Sequence, residues 1–247
     1  MNSLKIFKYE LKRLIGSKVY LSIAAIVLMY SYYLLSNDLF KPLSPVAPFS
    51  KWSYSGFLCQ VNFLLLLVIM FFATSLFDKK EKKVREITAS TPMSTSKYFL
   101  IKSLSIAVAY LLLAICVILE SFIFYYRIFK FTDFQNFLQP MLIIMLPSFL
   151  LVFGLSLYLG SRRNLFIYIM IPIVAILSAV SVTSSPFLDI FANGYINAQP
   201  LLVAVDSTGE PLFILSLQFI LSRMLFALIG LATYIYSFRA YILNKRN

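Results

Sequence analysis

Six stretches of this chain are long and apolar enough to cross a lipid bilayer as helices. They cover residues 19–36, 57–77, 103–125, 140–160, 165–182 and 212–238. Crossing about 30 Å of hydrocarbon takes roughly 20 helical residues, and a helix pairs its own backbone polar groups there. We therefore expect an all-α integral membrane protein, with one transmembrane domain over 1–247 and six transmembrane helices.

The composition agrees with a membrane location. Hydrophobic residues make up 60% of the chain, charged residues 13%, and the mean hydropathy is +0.85. The net charge of +12 would also suit nucleic-acid binding. Because the basic residues flank apolar stretches, insertion rules and anionic lipid explain them, and no nucleic-acid partner is expected.

The basic residues also predict an orientation. Seventeen Lys and Arg fall in 1–18, 78–102, 161–164 and 239–247, against four in 37–56, 125–139 and 183–211. Since basic segments resist translocation, both termini should be cytoplasmic. Abundant Lys, Ile, Asn and Phe are typical of an AT-rich bacterial genome, and the expected location is the bacterial plasma membrane. Aromatic residues expected in an outer interfacial belt are Trp52, Tyr54, Tyr125 and Tyr126.

The segment 1–18 predicts an amphipathic helix lying in the membrane interface. Its apolar stripe, at three- and four-residue spacing, consists of Leu4, Phe7, Leu11 and Leu14. Basic residues cover the other side, where they would meet anionic headgroups. A basic tail that only sets the topology is the alternative.

The loop 78–102 is the largest predicted cytoplasmic segment. Val84 and Ile87 mark one face of a short helix that Pro92 should end. Such a helix suits docking of another protein, although a solvated basic loop that enforces orientation remains an alternative. On the opposite side, 183–211 predicts short outer helices, and the first residues of the last apolar run could join them.

The loop and the entry helix together resemble the ABC-2 type transporter permeases. That family has a loop pattern of roughly E-x-x-G-T-x-E-x-L-x-x-T-P-x-S, then a Lys that opens the third span. Residues at matching places are Glu81, Glu86, Thr91, Pro92, Ser94 and Lys102, while Lys83 and Val84 replace the Gly-Thr pair. The ATPase-coupling residues that the resemblance implies are Glu81, Val84, Arg85, Glu86, Ile87, Thr91, Pro92 and Met93.

The resemblance implies a permease subunit that pairs with a second permease copy, identical or paralogous, and with cytoplasmic ATP-binding subunits. The loop would be the coupling helix, and the entry helix would support it. ATP and Mg would be held by the partner, with no cofactor on this chain. The implied cargo is hydrophobic or amphipathic, with export of, or immunity to, a bacteriocin-like peptide as first choice. Drug, lipid or polysaccharide export, or a non-transporting anchor for an ATPase, are alternatives.

No catalytic site is expected on the chain itself. It contains no histidine, which excludes His-bearing metal sites and Ser-His dyads, and no metal site is expected. None of its seven glycines precedes a lysine, so it lacks a phosphate-binding P-loop.

Two ionisable residues lie within predicted spans. Glu120 is near the outer end of the third, and Arg223 is in the outer half of the sixth. Burying either alone costs at least about 2.5 kcal/mol. We therefore expect them to pair across the bundle, either as an outer gate or as a structural clasp.

Overall fold

The computed structural model describes residues 3–37, 46–78, 94–179, 186–206 and 210–243. Its described α-helices are α1 (Ser3–Ile15), α2 (Lys18–Asn37), α3 (Lys51–Leu76), α4 (Thr95–Phe129), α5 (Gln135–Arg162), α6 (Asn164–Ala179), α7 (Asn193–Ala198) and α8 (Leu217–Leu243). These ranges contain no β-strand, only an isolated bridge between Val205 and Pro211. The all-α prediction is therefore confirmed for the described residues.

The helices form one bundle with α3 and α5 at its centre. α5 packs along both α3 and α8, while α4 contacts α1, α2 and α3. The bundle has two distinct ends. We call the end that holds α1, the start of α4 and the end of α8 the basic end. The opposite end holds the residues 186–206 and 210–216, which we call the cap segment.

Five of the helices are long and apolar enough to cross a membrane: α2, α3, α4, α5 and α8. The remaining predicted span, 165–182, is the fifth along the chain and corresponds to α6, which has 16 described residues. At 1.5 Å per residue it is about 24 Å long, shorter than the roughly 30 Å of hydrocarbon. α6 packs against α3 and α5, and the next described residues, 186–206, belong to the cap segment.

Helix boundaries differ from the apolar runs because helices continue into polar sequence. α4 begins at Thr95 rather than at residue 103. Its N-cap is Ser94, whose hydroxyl accepts a hydrogen bond from the Lys97 N–H. With 35 residues, α4 is about 52 Å long. The last helix begins at Leu217, so residues 212–216 lie outside it.

Two glycines let α5 and α8 approach very closely. A Cβ atom added to Gly154 would lie 2.1 Å from the Gly230 carbonyl oxygen. A Cβ added to Gly230 would lie 2.3 Å from the carbonyl carbon of Leu150. The two backbones are therefore in direct contact, as in the small-residue interfaces of membrane helices.

The aromatic residues expected in the outer belt have two different positions. Trp52, Tyr54 and Tyr125 are buried, and only Tyr126 is exposed. Tyr54 stacks on Phe137, with ring centroids 4.0 Å apart, and its hydroxyl lies 3.1 Å from that of Ser121. The belt prediction is thus wrong for these three residues, because they pack between helices where their polar atoms find partners.

Candidate functional sites at the two ends of the bundle

The N-terminal helix α1 packs against the bundle at the basic end. Three residues of its predicted stripe, Phe7, Leu11 and Leu14, are half-buried, and the last two pack against the core. Leu4 is 59% exposed. Most basic residues of α1 are exposed. The apolar stripe therefore faces the protein over most of its length.

A compact ion cluster joins α1 to α4. One carboxylate oxygen of Glu10 lies 2.8 Å from the Lys102 ammonium and 2.9 Å from the Arg13 guanidinium. The side chains of Glu10 and Lys102 are only 14% and 10% exposed. Shielding from water strengthens their attraction, and breaking such a pair is costly. Sequence reasoning missed Glu10, although an acidic residue in an otherwise basic helix was a signal.

The predicted coupling residues lie outside the described residues. They are Glu81, Val84, Arg85, Glu86, Ile87, Thr91, Pro92 and Met93. The described residues on either side, Asp78 and Ser94, adjoin the end of α3 and the start of α4. Lys102, about two helical turns beyond Ser94, is ion-paired with Glu10 and so joins α1 to α4.

At the other end, Arg223 of α8 is buried and bonded to the cap segment. Its Nη1 donates to the Ile190 carbonyl at 2.8 Å, and its Nη2 donates to the carbonyls of Pro186 and Asp189. The guanidinium carbon lies 4.7 Å from the ring centroid of Phe219. Charge-assisted bonds and cation–π contact together compensate the buried charge.

Glu120 and Arg223 do not pair. Arg223 bonds the backbone of residues 186–190. The Glu120 carboxyl is half-buried near Ser31 of α2 and makes no hydrogen bond through Oε2 to any described residue. The prediction of a pair was wrong because Nη1 and Nη2 of the arginine bond backbone carbonyls instead, and such carbonyls carry no sequence signal. Arg223 does form a clasp, but with the cap segment.

Asp189 shapes the turn that receives Arg223. Its Oδ2 accepts a hydrogen bond from the Tyr195 N–H at 2.9 Å. Burial raises the pKa of the Asp189 carboxyl above its ordinary value, while the Tyr195 N–H and the positive charge of Arg223 oppose that rise. Tyr195 in turn stacks on Phe219 of α8, with centroids 4.1 Å apart. The cap segment is therefore fixed to α8 by polar and aromatic contacts together.

A polar cluster lies inside the bundle, between its two ends. Asn62 of α3 is fully buried and donates to the Ser148 hydroxyl of α5 at 2.7 Å. The Tyr110 hydroxyl of α4 donates to the other side of the same amide at 3.5 Å. The cluster ties three helices together. Asn62, a mid-span polar residue, was its visible signal, and its partners could not be read from the sequence.

No family model, curated protein or solved structure matches this chain. The geometry nevertheless defines a class. Long apolar helices with exposed apolar side chains around the bundle are those of a multi-pass helical membrane protein.

Proposed function

We propose that this chain is the permease subunit of an ATP-driven ABC exporter in a bacterial plasma membrane. In this proposal the chain crosses the membrane six times, with α6 and the residues after it forming the fifth crossing, and both termini are cytoplasmic. A second permease copy completes the path, and separate cytoplasmic subunits bind and hydrolyse ATP. The cargo is an amphipathic peptide of the bacteriocin type.

The observation that supports the proposal most is the Glu10–Lys102 ion pair, which joins α1 to α4 about two helical turns beyond Ser94. An exporter must convert movement of an ATPase into tilting of helices. α4 continues without a break from Ser94 at the basic end to Phe129 at the other end. A force applied to the loop would therefore move α4 as a unit, together with α1, which is ion-paired to it.

A transport cycle also needs contacts that can open at the other end of the bundle, and the cap segment provides such contacts. Arg223 holds the cap on α8, and the Trp52 indole N–H donates to the Pro211 carbonyl at 3.2 Å, which joins the cap to α3. Opening the path outward would require α3 and α8 to separate at this end. These contacts would then be broken and remade in each cycle.

Purification of the chain from its native membranes tests the proposal. The wild-type preparation should contain a stoichiometric ATP-binding subunit and hydrolyse ATP. Reversing the charges of Glu81 and Glu86 to lysine should remove that subunit and the hydrolysis. Asp133→Lys, an exposed charge reversal at the opposite end of the bundle, is the matched control and should retain both.

Each result has a defined meaning. Wild-type protein that carries no ATPase would contradict the proposal. Hydrolysis that does not respond to added amphipathic peptide in proteoliposomes would favour a non-transporting anchor. Stimulation by a drug, lipid or polysaccharide instead would reassign the cargo and leave the coupling mechanism in place.

A further inference from the structure

The first residues of the cap segment, 186–191, reach deep beside the helices of the bundle. The Phe191 ring contacts the Phe63 ring of α3, and their centroids are 6.0 Å apart. α3 has 26 residues, so it is about 39 Å long, and Phe63 lies near its middle. Since a membrane has roughly 30 Å of hydrocarbon, a helix of this length that crosses it has its middle among the acyl chains. Phe191 therefore lies at hydrocarbon depth.

Arg223 of α8 gives a second measure of depth. It lies about 9 Å from the start of that helix at Leu217. α8 has 27 residues and is about 40 Å long, so only about 5 Å at each end extends beyond the hydrocarbon when the helix is centred. The Arg223 guanidinium bonds the carbonyls of Pro186, Asp189 and Ile190. The turn to which these carbonyls belong is thus held at a level inside the hydrocarbon.

Backbone carbonyls at that depth need donors from the protein itself, because no water reaches them. Arg223 is only 3% exposed, and it supplies donors to three of the carbonyls. A fourth, that of Leu188, accepts a hydrogen bond from the Ile190 N–H at 3.2 Å. A loop in water would need no buried arginine, because water would serve its carbonyls. The arginine therefore has a physical reason in lipid that it lacks in water.

The side chains that this turn exposes are apolar. Phe187 and Leu188 are 44% and 64% exposed, and no other residue of 186–192 is exposed. Asp189 is the only charged residue of that stretch, and it is buried. Two side chains offer far less surface than the roughly 800 Å² per partner that a stable protein interface buries. Acyl chains, which need no such area, suit this surface better than a second protein chain.

From the depth, the buried arginine and the apolar surface together, we propose that residues 186–191 lie inside the bilayer. Phe187 and Leu188 contact lipid acyl chains in the leaflet at the cap end. Arg223 is the positioning residue, because it takes the place of water as the donor to the backbone. The proposal requires only that α3 and α8 cross the membrane, and it does not depend on an ATPase or on transport.

Spin labelling of the full chain in liposomes tests the depth. Leu188→Cys carries a nitroxide in a chain whose Cys59 and Cys116 are replaced by serine. Dissolved oxygen concentrates among acyl chains and a nickel chelate stays in water, so the ratio of their effects on the label reports its surroundings. Position 188 should give a ratio close to that of a label on Cys116, which is exposed on α4. The ratio should be well above that of a label at the exposed Asp133→Cys, between α4 and α5.

Arg223→Gln in the Leu188→Cys chain tests the role of the arginine. The ratio at position 188 should fall toward that of Asp133→Cys, whereas the exposed Arg239→Gln should leave it unchanged. A label on Cys116 should stay lipid-like in Arg223→Gln, which separates displacement of the segment from unfolding of the bundle.

The depth is decided on the chain that retains Arg223. A water-like ratio at position 188 there would overturn the proposal. Protection of that position from both reagents would also overturn it, because another protein surface would then cover the turn. A lipid-like ratio that Arg223→Gln leaves unchanged would refute the positioning role of the arginine.

Discussion

Replacing Gly230 with alanine should force α5 and α8 apart. The added Cβ would lie 2.3 Å from the carbonyl carbon and oxygen of Leu150 and 2.6 Å from the Leu151 nitrogen, whereas ordinary contact begins at 3.4 Å. Because all three are backbone atoms, no rotamer change relieves the clash, and the helices must separate by about 1 Å. Overpacking of this kind costs about 1–3 kcal/mol.

Gly56→Ala is the matched control for this prediction. Gly56 lies within α3, and an added Cβ there meets nothing within 4 Å. Alanine raises helix propensity by up to about 1 kcal/mol at either site, so the difference between the variants isolates the packing cost. Equilibrium unfolding in mixed micelles with increasing dodecyl sulfate, followed by circular dichroism, measures the stability of both variants. We expect Gly230→Ala to be about 1–3 kcal/mol less stable than Gly56→Ala. Equal stabilities would refute the close approach of the two backbones.

Three further predictions concern polar contacts. Arg223→Gln should destabilise the fold by about 3 kcal/mol, because buried carbonyls lose their donor and hydrogen bonds to charged groups contribute about 1.5–3 kcal/mol each. Proteolysis within the cap segment should also become faster. Arg239→Gln, at an exposed position on the same helix, should change neither stability nor proteolysis, and equal effects of the two variants would contradict the clasp. Glu10→Gln should release α1, measured as faster hydrogen exchange over residues 3–15, and unchanged exchange would show that apolar contacts alone hold α1. Asn62→Leu should lower stability in the same micelle assay by only about 0.5–2 kcal/mol, because polar contacts between membrane helices are weak; a loss above 4 kcal/mol would contradict that estimate.

The bundle was predictable where a single physical requirement acts on the sequence. Covering the hydrocarbon core requires long apolar stretches, so five of the predicted spans appear as helices of sufficient length. The same rule says nothing about where a helix stops in polar surroundings. This is why α4 begins eight residues before the apolar run, at a serine cap that hydropathy does not detect.

The contacts between helices were less accessible to sequence reasoning. Gly154 and Gly230 are 76 positions apart, and no local spacing connects them. The partners of Arg223 are carbonyl groups, which every residue carries, so only the path of the cap segment reveals them. Glu120 and Arg223 are both charged residues within predicted spans, but they do not contact each other. Pairing across a bundle depends on helix rotation, which hydropathy alone does not fix.

The side of the membrane on which the loop 78–102 lies tests the central claim most directly. With Cys59 and Cys116 replaced by serine, Ser90→Cys and Ser207→Cys supply one thiol each in the loop and in the segment before the last helix. A membrane-impermeant maleimide is added to intact cells and, separately, to opened cells. The coupling mechanism predicts that position 207 reacts in intact cells and that position 90 reacts only after opening. Labelling of position 90 in intact cells would place the loop beyond the reach of ATP and contradict the account.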